Sequence, residues 1–284
     1  MLKSTPRYRP LYAVIILFQL AGMALIVAHF NAVPSGRLWL FFHIAVVLGV
    51  LFIRGARAER IKPWLSILIV VINFSELTFL VHVVNPVDMD VWLIRADYRL
   101  TGLHPTVWLQ RFTRPLLTEI LQWIYAMFYF LPIILAMRLW RRDEMDRFAY
   151  FAFQIVLGFY ISYVGYFLVP AVGPRFTLTD LHSLPLKGLW LRDSLDHWLT
   201  RLEGPQRDAF PSGHTMITLM TMAFARRLDK AYFRLVLPVG SLLIISTVYL
   251  RYHYVTDVLA GALWAVVSWW IGMRLFRYIY KTPA

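Results

Sequence analysis

Eight apolar runs decide what this chain can become. They occupy residues 11–30, 38–53, 64–84, 116–137, 148–172, 214–228, 233–250 and 255–276 of the 284-residue sequence. In hydrocarbon every backbone N–H and C=O must be satisfied within the segment, so runs of this length predict membrane-crossing helices. A crossing takes about 20 residues. The runs at 38–53 and 214–228 are the shortest of the eight.

Composition agrees with the runs. Charged residues make up 16% of the chain and mean hydropathy is +0.58, whereas soluble proteins carry about 25% charged residues. The expected fold class is all-α: a polytopic membrane helical bundle of about eight transmembrane helices. It is expected to form one integral-membrane domain over 1–284, with N-terminal spans in 1–84 and an external segment at 85–115. No cleavage pattern follows the first run, so no signal peptide is expected. The sequence has no cysteine, hence no disulfide and no thiolate metal site.

The net charge of +13 raises the question of nucleic acid. Topology explains it better, and no nucleic-acid partner is expected. Lys and Arg cluster in short segments between alternate spans: the N-terminal tail (Lys3, Arg7, Arg9), the loop RGARAERIK at 54–62, RLWRRDEMDR at 138–147, ARRLDKAYFR at 225–234, and the C-terminal end. Short basic loops stay in the cytoplasm. Both termini are therefore expected there, with the long loops 85–115 and 173–213 outside, in a plasma (inner) membrane. VDMDVWLIRADYRLTGLHPTVWLQRF, at 87–112, carries apolar residues at helical spacing and reads as one or two amphipathic helices in the interface, or as a surface helix packing on the bundle. Pro132 and Pro238 fall inside spans, where they can kink a helix.

Three short stretches at outer ends of spans carry the chemistry. In AFPSGHTM (209–216), Pro211 suits a first helical turn, and a helix start offers free N–H groups to a phosphate. Ser212 adds a hydroxyl, Gly213 permits close approach, and His214 can move a proton near neutral pH. An ordinary Ser N-cap explains the same residues without function. In YLRYHYVTDVLAG (249–261), His253 and Asp257 are four apart and share a face if the last helix begins a turn early. The carboxylate would fix the imidazole tautomer and leave the other nitrogen free to attack; a structural His–Asp pair is the plainer reading. In GPRF (173–176), Arg175 has the planar fork that suits phosphate oxygens, or is an arginine snorkelling to the surface. Two histidines, a carboxylate, an arginine and a helix N-terminus on one side of the membrane suit phosphoryl transfer, where positioning and charge do most of the work. Glu76 lies mid-span, where an acid is costly; it marks a proton pathway or pairs with a buried group such as His43.

PSGHT followed some 40 residues later by HYxxDVxxG resembles the type 2 phosphatidic acid phosphatase superfamily, over most of 116–276. The resemblance implies a six-helix catalytic core. It implies His253 as the nucleophile forming a phosphohistidine, Asp257 as its orienting group and His214 as acid/base. Ser212 and Gly213 would bind phosphate, with Arg175 at the first-motif arginine. The chain departs from the family at two basic positions. Leu168 stands where the first motif has Lys, with Phe176 in place of its Pro, and Thr247 stands where the third motif has Arg. Arg251 and Lys187 are candidate replacements.

The pattern, with DVWLIRADYRLTGLHP at 90–105, is similar to the branch holding inositol phosphorylceramide synthases and sphingomyelin synthases. The implied activity is that of a lipid phosphatase or phosphotransferase acting on a lipid phosphate or phosphodiester at the extracytoplasmic face. No metal and no cofactor are expected. The acceptor is water for a phosphatase and a lipid alcohol for a transferase. A reading of another class is a lipid transporter, which would place ionisable groups such as Glu76 on its pathway.

Overall fold

In a computed structural model, residues 6–53, 55–203 and 207–281 are described; Lys3 and Arg54 of the charge argument lie outside them. Every regular element among the described residues is helical. The N-terminal helices are α1 (Arg9–Ala28), α2 (Gly36–Phe52) and α3 (Ala56–Val84), followed by the short α4 (Asp90–Thr101) and α5 (Pro105–Leu109). Next come α6 (Pro115–Ala126), α7 (Phe130–Arg141), α8 (Met145–Leu168), α9 (Pro174–Thr177) and α10 (Arg192–Glu203). The chain ends on α11 (Gly213–Leu228), α12 (Lys230–Tyr249) and α13 (Val255–Lys281).

Six helical segments are long and apolar enough to cross a membrane: Arg9–Ala28, Glu59–Val84, Pro115–Arg141, Met145–Leu168, Lys230–Tyr249 and Val255–Ile279. The chain is an integral membrane protein of all-α architecture. The two shortest apolar runs form the shorter helices α2 and α11. The 17-residue α2 lies on α1 and leaves Leu38, Phe41, Leu48 and Phe52 exposed. The 16-residue α11 is enclosed by α7, α8, α12 and α13, with Met216, Ile217, Met220 and Phe224 buried. A helix sheathed in protein need not match the bilayer thickness.

The span at 116–137 is one crossing built from two helices. A 3-10 turn, Met127–Tyr129, joins α6 to α7. Pro132 lies just beyond it, lacking an N–H and crowding the carbonyl of Phe128, so the α-helical ladder breaks there. At the centre of the bundle α8 packs on α1, α3, α7, α11 and α13.

The segment 85–115 folds as expected into short helices, and α4 turns its apolar side away from the protein, as an interfacial helix requires. On α4 the buried side holds Asp90, Leu93 and Asp97, while Val91, Trp92, Tyr98 and Leu100 are exposed. Glu76 is paired: His43 Nε2 lies 2.9 Å from Glu76 Oε1, and His43 Nδ1 lies 2.6 Å from Gln19 Oε1. Gln19 Nε2 donates to Asn73 Oδ1 at 2.9 Å, closing a buried polar cluster across α1, α2 and α3.

Candidate active site

The AFPSGHTM stretch forms the mouth of α11. Ser212 is its N-cap, with an extended ψ of 104°, and Ser212 Oγ accepts from Thr215 N at 3.2 Å. Pro211 therefore precedes the cap and is not in the first turn, because the chain turns into the helix only at Gly213. The amides of Gly213 and His214 open the helix and have no acceptor within it. The plain capping role of Ser212 is thus realised, and the two free-facing amides are a separate feature of the same turn.

The second stretch is a turn between α12 and α13. Arg251 takes the left-handed region (φ 67°), and the N–H groups of Tyr252 and His253 both donate to Thr247 O, at 2.9 and 3.1 Å. Since α13 starts at Val255, His253 stands in the turn and not on the helix. The anticipated early start is prevented by this turn. His253 and Asp257 still approach, by another device: Asp257, in the first helical turn, reaches back to accept Tyr254 N at 2.8 Å, half of a capping box. That leaves Asp257 Oδ2 3.5 Å from His253 Nδ1. The close acceptor of Nδ1 is the carbonyl of Ala209, at 2.8 Å. In the neutral ring an Nδ1–H donated there leaves Nε2 with its lone pair.

The two stretches are locked together. Ser212 N donates to Asp257 O at 3.0 Å. Gly261, one turn further along α13, makes this possible: a Cβ there would lie 2.5 Å from Ser212 O. The HYxxDVxxG spacing thus places His253 by the turn, Asp257 at the helix start and a bare backbone where α11 begins.

The His214 and His253 rings lie 5.6 Å apart. His214 is sandwiched by aromatic rings, Tyr125 at 4.5 Å and Phe128 at 4.2 Å, and its Nε2 is buried with no hydrogen-bond partner. Burial pushes His253 down to about 4, offset only in part by the carboxylate of Asp208 and the Ala209 carbonyl. Burial pushes Asp208 itself up to about 6, against the pull of His253. Asp208, Gly213 and His214 line one end of an apolar cavity.

The arginines stand further out. Arg175 is held by Asp196 of α10, its two terminal nitrogens at 3.1 and 2.8 Å from the carboxylate oxygens. Its guanidinium also lies 5.5 Å from the Tyr252 ring, which stacks on Tyr125 at 4.4 Å. Arg175 is therefore linked to His214 through two stacked rings. Arg251 Nη2 donates to Leu184 O at 2.6 Å, and its Nε is buried without a partner. Lys187 is exposed, and Thr247 is fully buried.

Three carboxylates that the motif reading passed over organise this region. Asp90 accepts from Val172 N (3.0 Å), Gly173 N (2.9 Å) and Tyr254 Oη (2.8 Å). Gly173 has φ 91° and its α-carbon faces Tyr252 O, so the first-motif loop lies flat against the histidine turn. Asp97 accepts from Val255 N (2.9 Å), Thr256 N (2.7 Å) and Thr256 Oγ1 (2.6 Å), capping α13. Glu119 of α6 accepts the N–H groups of Leu189, Trp190, Leu191 and Arg192 and so anchors α10. The seven-residue spacing of Asp90 and Asp97 on one face of a helix was the available signal.

A family model described as the PAP2 superfamily matches residues 91–271. Compared with curated proteins and with solved structures, the chain matches none.

Proposed function

The chain belongs to the PAP2 superfamily, and on that premise we propose that it is a membrane enzyme transferring the phosphoryl group of a lipid phosphate or phosphodiester through a phosphohistidine. The observation that carries the reading is the pair of imidazoles 5.6 Å apart at the α11 mouth, one of them with Nδ1 held by a carbonyl.

His253 Nε2 attacks phosphorus in line, forming the N–P bond as the bond to the lipid oxygen breaks. His214, protonated only once the phosphate of the substrate lies beside it, gives its proton to that oxygen. It then takes a proton from the acceptor, whose oxygen attacks phosphorus and releases His253. Asp257 faces the Nδ1 edge and stabilises the positive charge that the ring acquires. The amides of Gly213 and His214 and the dipole of α11 face the equatorial oxygens. Arg175 and Arg251 supply further positive charge once substrate replaces Asp196 and the Leu184 carbonyl as their partner. Water as acceptor makes the protein a phosphatase. A lipid alcohol makes it a headgroup transferase of the inositol phosphorylceramide or sphingomyelin synthase type. By the basic-loop argument the site faces the extracytoplasmic side of a plasma membrane with both termini inside.

Product analysis tests this. Purified wild-type protein and His253→Ala are given lipid phosphates and phosphodiesters, with and without an added lipid alcohol. Free phosphate from the wild type alone identifies a phosphatase, and a new phospholipid formed only with the acceptor identifies a transferase. Turnover by His253→Ala within tenfold of wild type removes His253 as nucleophile.

A further inference from the structure

The cavity that begins at Asp208, Gly213 and His214 does not stop at the site. It continues down the bundle between α3 and α7, which both pack on α8 and barely on each other. On α8 its lining runs Phe148, Ala152, Ile155, Phe159, Tyr163 and Tyr166, one stripe at helical spacing. Eighteen residues separate Phe148 from Tyr166 in the sequence, which in an α-helix is about 27 Å, close to the ~30 Å hydrocarbon core. Facing this stripe are Trp64, Ile67, Val70 and Phe74 of α3 and Pro132 and Ala136 of α7. Two polar groups along the way are already bonded: Tyr163 Oη donates to Val70 O at 3.0 Å, and Ser66 Oγ to Pro63 O at 2.5 Å. At the far end Trp64 closes the trench, packing on Phe148 at 5.3 Å and edge-on to Trp140 at 6.2 Å.

A trench lined almost wholly by apolar side chains, with its ionisable groups at the histidine end and as deep as a leaflet pair, matches an amphiphile with a phosphate head and a hydrocarbon tail. We infer that one hydrocarbon chain of the substrate is held inside the protein in this trench, not in the surrounding bilayer. Its length is read by the floor at Trp64 and Phe148. The wall on the α3 side lies outside the family-matched segment 91–271, so this selectivity belongs to the N-terminal helices of this chain. The inference rests on the phosphoryl-transfer reading for its head-group end.

The probe is hexadecyl phosphate with a terminal diazirine, irradiated with the purified full-length protein and mapped by peptide mass spectrometry. The expected adducts fall on Trp64, Ala136 or Phe148, and Ala152→Trp removes them. Adducts confined to outward-facing positions such as Leu65 and Leu68 overturn the trench. Turnover gives the second readout: Ala152→Phe should lower the ratio of hexadecyl to octyl phosphate hydrolysis at least tenfold. Val266→Phe, on the exposed side of α13, should leave that ratio unchanged. Wild-type turnover with no floor adducts and an unmoved ratio sinks the trench and spares the phosphoryl reading. Floor adducts without turnover of either ester do the reverse.

Discussion

His253 sits in a buried turn where its imidazolium is disfavoured, and that decides its titration. Its pKa is pushed down to about 4 from the usual 6.5. A group that must be unprotonated to attack is then competent at all pH values above about 4 and is lost as pH falls through that value. The acid limb of kcat/KM should therefore lie near 4, where an ordinary surface histidine would put it near 6.5. Asp208, itself pushed up to about 6, is already neutral at the pH where His253 titrates, so Asp208→Asn should leave the acid limb near 4. A limb near 6.5 in the wild type, or one that moves by a unit or more in the variant, contradicts this account. Little of this was legible beforehand. The sequence announces that His253 and His214 belong together, through PSGH and HxxxD. It does not announce burial, nor that the Ala209 carbonyl takes the nitrogen expected to face Asp257. Nor does it announce that Arg175 is taken up by Asp196, because that pairing is made by the fold of the 173–213 loop.

At the scale of elements, the helices were readable to within a few residues in most spans, because a hydrocarbon solvent imposes length and composition directly. The α8, α11 and α13 boundaries and the break near Pro132 follow from local sequence. The role of α4 was not readable. Its apolar residues Val91, Trp92, Tyr98 and Leu100 are turned away from the protein, as an interfacial helix requires; what the periodicity did not announce is that Asp90 and Asp97 turn inward onto backbone amides. This gives α4 a positioning role: it holds the first-motif loop with one carboxylate and the start of α13 with the other. Asp97→Ala leaves two amides of α13 without a cap, a loss of about 0.5–2 kcal/mol. It should lower both the unfolding temperature and kcat, the latter because His253 is carried by the adjoining turn. Asn keeps one acceptor oxygen where Asp97 uses two, so Asp97→Asn should recover only part of the stability and of kcat. If Asn and Ala behave alike, the carboxylate acts through its charge and not as a cap. Thermal unfolding in detergent and steady-state kinetics read both quantities.

For the whole molecule, the question is what keeps the N-terminal helices on the catalytic half. The bundle offers no hydrophobic driving force between helices, because lipid tails are as apolar as leucine. Polar contacts and close packing must do it. One such contact is the buried cluster of Gln19, His43, Asn73 and Glu76, which Tyr160 of α8 joins by donating to Asn73 Oδ1 at 3.3 Å. The cluster occupies the side of α3 turned to α1 and α2, and the trench lining occupies residues 67, 70 and 74 of the same helix. An acid at mid-span would serve a transporter as a pathway residue, whereas here it holds a helix in place. The two roles predict different mutants. Removing one partner of a buried pair leaves the other stranded, so Glu76→Ala should cost about 3–5 kcal/mol, whereas replacing both partners by apolar residues is often close to neutral. His43→Leu with Glu76→Met should therefore be more stable than Glu76→Ala alone, and it should retain phosphoryl transfer. If the double variant unfolds like the single one, packing and not the pair holds α2 and α3. If it folds normally but is inactive, Glu76 has a chemical role that a helix-to-helix fastening does not explain.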